Sequence, residues 1–193
     1  MLKNPVDILT MFPVRKTKSQ KQAFREGVCA YAEKLGYPVT VETGSFGCRN
    51  VIFGDSEQAD YLVTAHYDTP ARLLVPNFAT PCNGILYLLR KVCLWAVMAI
   101  IAGAVGVGAA FVAGEWIIPV VVVPTVFCFA ALLLFGPANK SNVNDNSSGV
   151  ITVLEIMKTL PENFRSKVCF VLFDLEEAGL IGILLQTNAT KGL

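Results

Sequence analysis

A stretch almost free of charge, residues 92–139, constrains this chain more than any other feature. Its one charged residue is Glu115. Residues 92–114 give 23 uncharged positions and residues 116–139 give 24. Each is long enough to cross a hydrocarbon core about 30 Å thick at about 1.5 Å rise per residue. Gly114, Glu115 and Trp116 read as a polar turn with an interfacial aromatic, so the pattern predicts a two-helix transmembrane hairpin over residues 90–140. Small residues recur four apart in the first span (Ala99/Gly103, Ala102/Gly106, Ala104/Gly108), which lets a neighbouring helix approach closely. Pro119 and Pro124 interrupt the second, as membrane helices tolerate where neighbours satisfy the freed carbonyls. Two apolar core helices are the soluble alternative, but 193 residues offer too little mass to bury this 48-residue stretch.

Outside that stretch the charge density is ordinary, and the whole chain carries a formal net charge of +1. That balance gives no electrostatic case for nucleic acid. Arg15, Lys16, Lys18, Lys21 and Arg25 form a local basic cluster, which reads as a solvated helix start or a membrane-surface contact. It lacks the interleaved aromatics that single-strand binding uses. Arg90 and Lys91 precede the first span and Lys140 follows the second, which places both flanks in the cytoplasm and Glu115 outside. The expectation is an integral membrane protein with two spans, cytoplasmic soluble parts and the lipid bilayer as a partner. The N-terminus shows no uninterrupted apolar run of the signal-peptide kind, because Lys3, Asp7 and Arg15 break it. Six cysteines without a C-x-x-C pair read as reduced packing residues.

The flanking parts, residues 1–89 and 141–193, carry helix and strand signals. A helix is predicted over residues 19–35, with Phe24, Val28, Tyr31 and Leu35 on one face and Gly36 as its stop. Short β-type runs follow at residues 39–41, 50–53 and 61–65. A second helix is predicted over residues 149–160, with Val150, Leu154 and Met157 on one stripe. The run from Val168 to Phe173 reads as a buried strand. Strands alternating with helices indicate an α/β sheet.

Three polar clusters stand where strands or loops end: His66-Tyr67-Asp68, Asn144-Asp145-Asn146, and Asp174-Leu175-Glu176-Glu177. Active sites of open α/β sheets gather beyond the carboxyl ends of strands. Taken singly, each has an ordinary explanation: a packed histidine, a helix cap, a wet glutamate pair. Together they supply the imidazole and carboxylates suited to zinc. Asp68 can hold the unbound ring nitrogen of His66 and fix its tautomer. Adjacent glutamates point differently, so one can bind metal while the other takes a proton.

In order, Ala65-His66-Tyr67-Asp68-Thr69, then Asn144-Asp145-Asn146-Ser147-Ser148-Gly149, then Phe173-Asp174-Leu175-Glu176-Glu177-Ala178-Gly179-Leu180-Ile181-Gly182 resemble the successive motifs of the di-zinc exopeptidases. That is the metallo-aminopeptidase family of bacterial leucyl aminopeptidase and glutamate carboxypeptidase II. The resemblance covers residues 20–75 and 138–182. It implies a three-layer α/β/α fold, two zinc ions, a peptide substrate, and hydrolysis of an N-terminal peptide bond by a metal-bound water. It further implies that His66 binds the first metal, Asp68 orients it, Asp145 bridges both ions, Glu177 binds the second, and Glu176 is the general base.

Two departures from the family accompany the resemblance. The hairpin interrupts the domain between the first and second motifs, so its ends must lie close together. The family's two further metal ligands, an Asp and a late His, have no counterpart, since His66 is the one histidine and no Asp follows Asp174. The chain therefore reads as a membrane-anchored zinc peptidase truncated after its third motif, inactive by itself, with an apolar sheet edge exposed around Val168 to Phe173. A different class of reading is a non-catalytic membrane protein that uses a peptidase-like half-domain for binding.

Overall fold

The computed structural model of the protein describes residues 2–72, 84–113, 123–125, 127–128, 131, 136–141 and 143–177. The chain divides into two compact units, residues 1–70 with 138–193, and residues 71–137. The first unit opens with a short helix, α1 (Ile8–Met11), and then α2 (Lys18–Lys34). Thr17 starts α2 with a reciprocal cap: its hydroxyl accepts the Gln20 N–H while the Gln20 side chain accepts the Thr17 N–H. Phe24, Val28, Tyr31 and Ala32 form its buried face. Gly36, at φ +86°, takes the left-handed conformation that ends the helix and that side chains disfavour.

Strands β1 (Val39–Thr43) and β2 (Arg49–Phe53) form an antiparallel hairpin in which Val39 faces Phe53. After them come β3 (Tyr61–His66), α3 (Gly84–Ala113) in the second unit, α4 (Ser148–Thr159) and β4 (Val168–Phe173). The sheet order is β1-β2-β4-β3. Strand β4 runs antiparallel to β2, Val51 opposite Leu172, and parallel to β3, from Tyr61 with Val168 to His66 with Phe173.

Side-chain alternation sorts the core. Phe170 and Leu172 of β4 join Val51, Phe53 and Ala65 on one face, where Phe24 and Val28 of α2 and Val150, Leu154 and Met157 of α4 complete the main cluster. Ile52, Cys169, Val171 and Phe173 form a smaller cluster on the other face. A strand buried on both faces needs apolar residues in succession, which is why β4 is an unbroken apolar run.

Three expectations are corrected here. The fold has α/β character, but its sheet is a mixed one of four strands, with α2 and α4 packed in one core cluster, rather than a three-layer sandwich interrupted by a membrane hairpin. Strand β4 is interior, not an exposed edge, because β2 pairs antiparallel along the side that β3 does not cover. Among the described residues no helix is long and apolar enough to cross a membrane. That contradicts the two-span hairpin and the integral-membrane placement with its cytoplasmic flanks, and leaves the bilayer as a partner without support.

A span needs about 20 apolar residues in one continuous helix. Helix α3 begins at Gly84, carries Arg90 and Lys91, and has alanine or glycine at ten of the 22 positions from Val92 to Ala113. Of the expected second span, helical conformation is described at residues 123–125, 127–128 and 131. The rest of it, and the turn at Glu115, lie outside the described residues.

At the junction of the first unit, the Asn139 N–H donates to the Pro70 carbonyl at 2.9 Å, so the chain leaves and re-enters that unit at one point. Within the second unit the Arg72 N–H donates to the Pro137 carbonyl at 2.7 Å.

Candidate metal centre

His66 closes β3 opposite Phe173, the last residue of β4, so the loops after these two parallel strands leave the sheet at the same end. The Tyr67 N–H donates to the Phe173 carbonyl at 3.0 Å and carries the pairing one step further. Asp145 arrives from the turn Val143–Ser147 that leads into α4, with a non-helical backbone at φ −138°, ψ 80°. Asn146 Oδ1 accepts the Gly149 N–H at 3.1 Å and fixes that turn to the first residues of α4.

These segments bring five sequence-singled residues together. His66 Nε2 lies 3.4 Å from Asp145 Oδ1 and 3.9 Å from Glu176 Oε2. His66, Asp145 and Glu177 each offer one ligand atom, all within 4.8 Å of one another. On the far side of the ring, Nδ1 faces Asp68 Oδ1 across 3.4 Å, buried and without a well-aligned hydrogen bond. Asp68 also does something its spacing from His66 did not announce. Its Oδ1 accepts the Glu176 N–H at 3.2 Å and its Oδ2 the Glu177 N–H at 3.1 Å. One buried carboxylate thus holds the backbone of the glutamate pair and faces the imidazole. Residues 178–182 of the third motif lie outside the described residues.

Charge is unbalanced in this cluster. Burial by itself would push the His66 imidazole down, but Asp145, Asp68 and Glu176 overcome it and raise the ring to about 10. Burial, then Asp145, Glu176 and Asp68, push the Glu177 carboxyl up to about 7 against the pull of His66. Burial likewise works to raise Asp68, yet His66, Lys21 and the Glu177 amide hold it below the ordinary carboxylate value. Four carboxylates around one imidazole favour a cation, and a divalent ion replaces the ring proton where an unprotonated nitrogen and carboxylate oxygens converge. The donors fit zinc, an N/O-binding ion. Among the described residues they define one such cluster.

Beneath it lies a layer that spacing did not reveal. Asp174 is buried and accepts from Lys21 Nζ and from the Arg49 N–H at 3.2 Å, with Arg25 at 4.0 Å. Its own N–H donates to Asn50 Oδ1 at 3.1 Å. Arg25 also donates to the Tyr67 hydroxyl at 2.8 Å, which donates in turn to the Arg49 carbonyl at 2.9 Å. Arg15, Lys21 and Arg25 are therefore buried, which corrects their reading as a solvated or membrane-contacting patch. The available signal was periodicity: Lys21 and Arg25 fall on the same helical stripe as Phe24 and Val28.

A histidine and carboxylates converge beyond the ends of two parallel strands in a cluster that could hold a metal ion. Residues 132–183 match the profile of peptidase family M28, a stretch that includes Asp145, Glu176 and Glu177. The match supports the M28 metallopeptidase superfamily, whose members are hydrolases. Neither the curated proteins nor the solved structures give a match.

Proposed function

We propose that the chain carries the metal site of a zinc-dependent aminopeptidase, with His66, Asp145 and Glu177 as metal ligands, Asp145 shared in a two-ion centre, and Glu176 as general base, the family's two further ligands being absent from it. The observation that carries this reading is the convergence within 4.8 Å of ligand atoms from three segments far apart in sequence. Zinc, when bound, polarises the scissile carbonyl and lowers the pKa of water to about 7. Glu176 stands beside the ligand cluster without belonging to it. Its carboxylate takes the proton of the attacking water and returns it to the leaving amine. Asp68 fixes the imidazole so that Nε2 presents its lone pair to the metal.

Glu176→Gln keeps the shape but cannot accept the proton. In a version of the protein that carries the two further ligands, turnover of leucine p-nitroanilide should fall about 10²- to 10⁴-fold with zinc content unchanged. Glu177→Gln should lose zinc as well, as measured by elemental analysis. Equal zinc loss in both variants would reverse the two roles.

A further inference from the structure

Arg15 is fully buried, and no carboxylate among the described residues pairs with it. Its guanidinium instead spends its donors in three directions. Nε donates to the Tyr67 carbonyl, Nη1 to the Phe12 carbonyl at 2.7 Å and Nη2 to Ser147 Oγ at 2.9 Å. Its backbone is tied to Thr69 both ways: the Arg15 N–H donates to Thr69 Oγ1 at 2.9 Å, and the Thr69 N–H to the Arg15 carbonyl at 3.0 Å. The Phe24 ring lies under the guanidinium at 5.4 Å. Tyr67 and Thr69 bracket Asp68, and Ser147 is two residues from Asp145. One side chain therefore joins the loop after β3 to the turn before α4.

We infer that Arg15 is a positioning residue of the metal centre, a buried brace that sets the loop bearing His66 and Asp68 against the turn bearing Asp145. This rests on the zinc reading above. A side chain needed only to fill space would do so better without charge, since an apolar residue of similar volume avoids the desolvation cost. Lysine carries one donor centre and cannot reach three acceptors lying in different directions. Burial brings the guanidinium down to about 10, so it remains cationic at neutral pH.

The test uses Arg15→Lys, Arg15→Met and Ser147→Ala, the last removing a single bond of the brace from a protein that keeps its arginine. Zinc affinity is measured by competition with a fluorescent chelator, and ligand geometry by the visible absorption of the cobalt-loaded protein. Hydrogen exchange is followed over residues 66–70 and 143–149. Outer-shell partners of metal ligands typically contribute 10- to 100-fold in affinity. Both arginine variants should bind zinc about 10- to 100-fold more weakly, with altered cobalt bands and faster exchange in both segments. Ser147→Ala should shift affinity in the same direction by about 10-fold. A role in stability alone would lower the melting temperature while the folded protein kept its affinity and spectrum, and that result would overturn the inference, as would full restoration by lysine. If the arginine variants do not fold, unchanged affinity in Ser147→Ala overturns it. A wild-type protein that binds neither zinc nor cobalt would refute the metal reading and this inference with it, whereas normal wild-type binding with unaltered variants refutes this inference by itself.

Discussion

Asp68→Asn isolates the carboxylate that serves both sides of the centre. Asp68 is 4% exposed and gives one oxygen to each of two amides, at 3.2 Å and 3.1 Å. Asparagine of the same shape has one acceptor oxygen and one NH₂ group, so in either orientation one backbone N–H meets another donor. Losing a charge-assisted bond costs about 1.5–3 kcal/mol, and the surviving bond weakens from ionic to neutral strength by about 1 kcal/mol. The total, about 3 kcal/mol, corresponds to about 100-fold in local exchange protection. Native-state hydrogen exchange at the Glu176 and Glu177 amides reads this without requiring both units to unfold together. Glu176→Gln is the control, because it leaves Asp68 and both amides in place and should exchange close to the wild-type rate. Unchanged protection in Asp68→Asn, or equal acceleration in the control, would refute the reasoning. The pH dependence has a definite sign. Since the folded carboxyl sits below its ordinary 3.8, its contribution is complete above about pH 4 and is lost as pH falls through the folded value.

Lys21→Met leaves buried Asp174 with Arg25 at 4.0 Å as its remaining cation, and should lower stability by about 3–5 kcal/mol in denaturant titration; adding Asp174→Asn should recover much of that loss. At Gly149 a Cβ would overlap Asn146 Oδ1, so Gly149→Ala should release that bond at a cost of about 1 kcal/mol and weaken zinc binding by disturbing Asp145. Burial pushes the thiols of Cys48 and Cys169 up to about 11 from an ordinary 9.0. Unfolded thiols then ionise first, so thermal melts should show stability falling between about pH 9 and 11. Both thiols should also react with Ellman's reagent at about pH 8 far more slowly than exposed Cys128.

Local chemistry was readable where neighbours in sequence decide it. The stripe from Phe24 to Tyr31, the stop at Gly36 and the apolar run of β4 placed their elements within a residue or two. The three polar motifs pointed to residues that do meet in space. Partners far apart in the chain stayed hidden. Lys21 finds Asp174 across 153 positions, and a lysine beside other cations reads as wet unless its helical phase is weighed. Strand order was hidden for the same reason, since β4 is interior only because β2 pairs with it. The charge-free stretch set no helix boundary, and α3 begins at Gly84, eight residues before it.

The shared point at Pro70 and Asn139 bears on how the sheet assembles. Tyr61 must find Val168, a partner 107 positions away, and long separations slow folding because loop closure comes before any gain from the contact. Residues 71–137 account for most of that separation and form a compact unit of their own, in which the Arg72 N–H donates to the Pro137 carbonyl. When that unit forms first, the contour left between β3 and β4 is about 40 residues, an ordinary crossover length for a parallel pair. The insertion then leaves the contact order of the sheet nearly where a domain without it would have it.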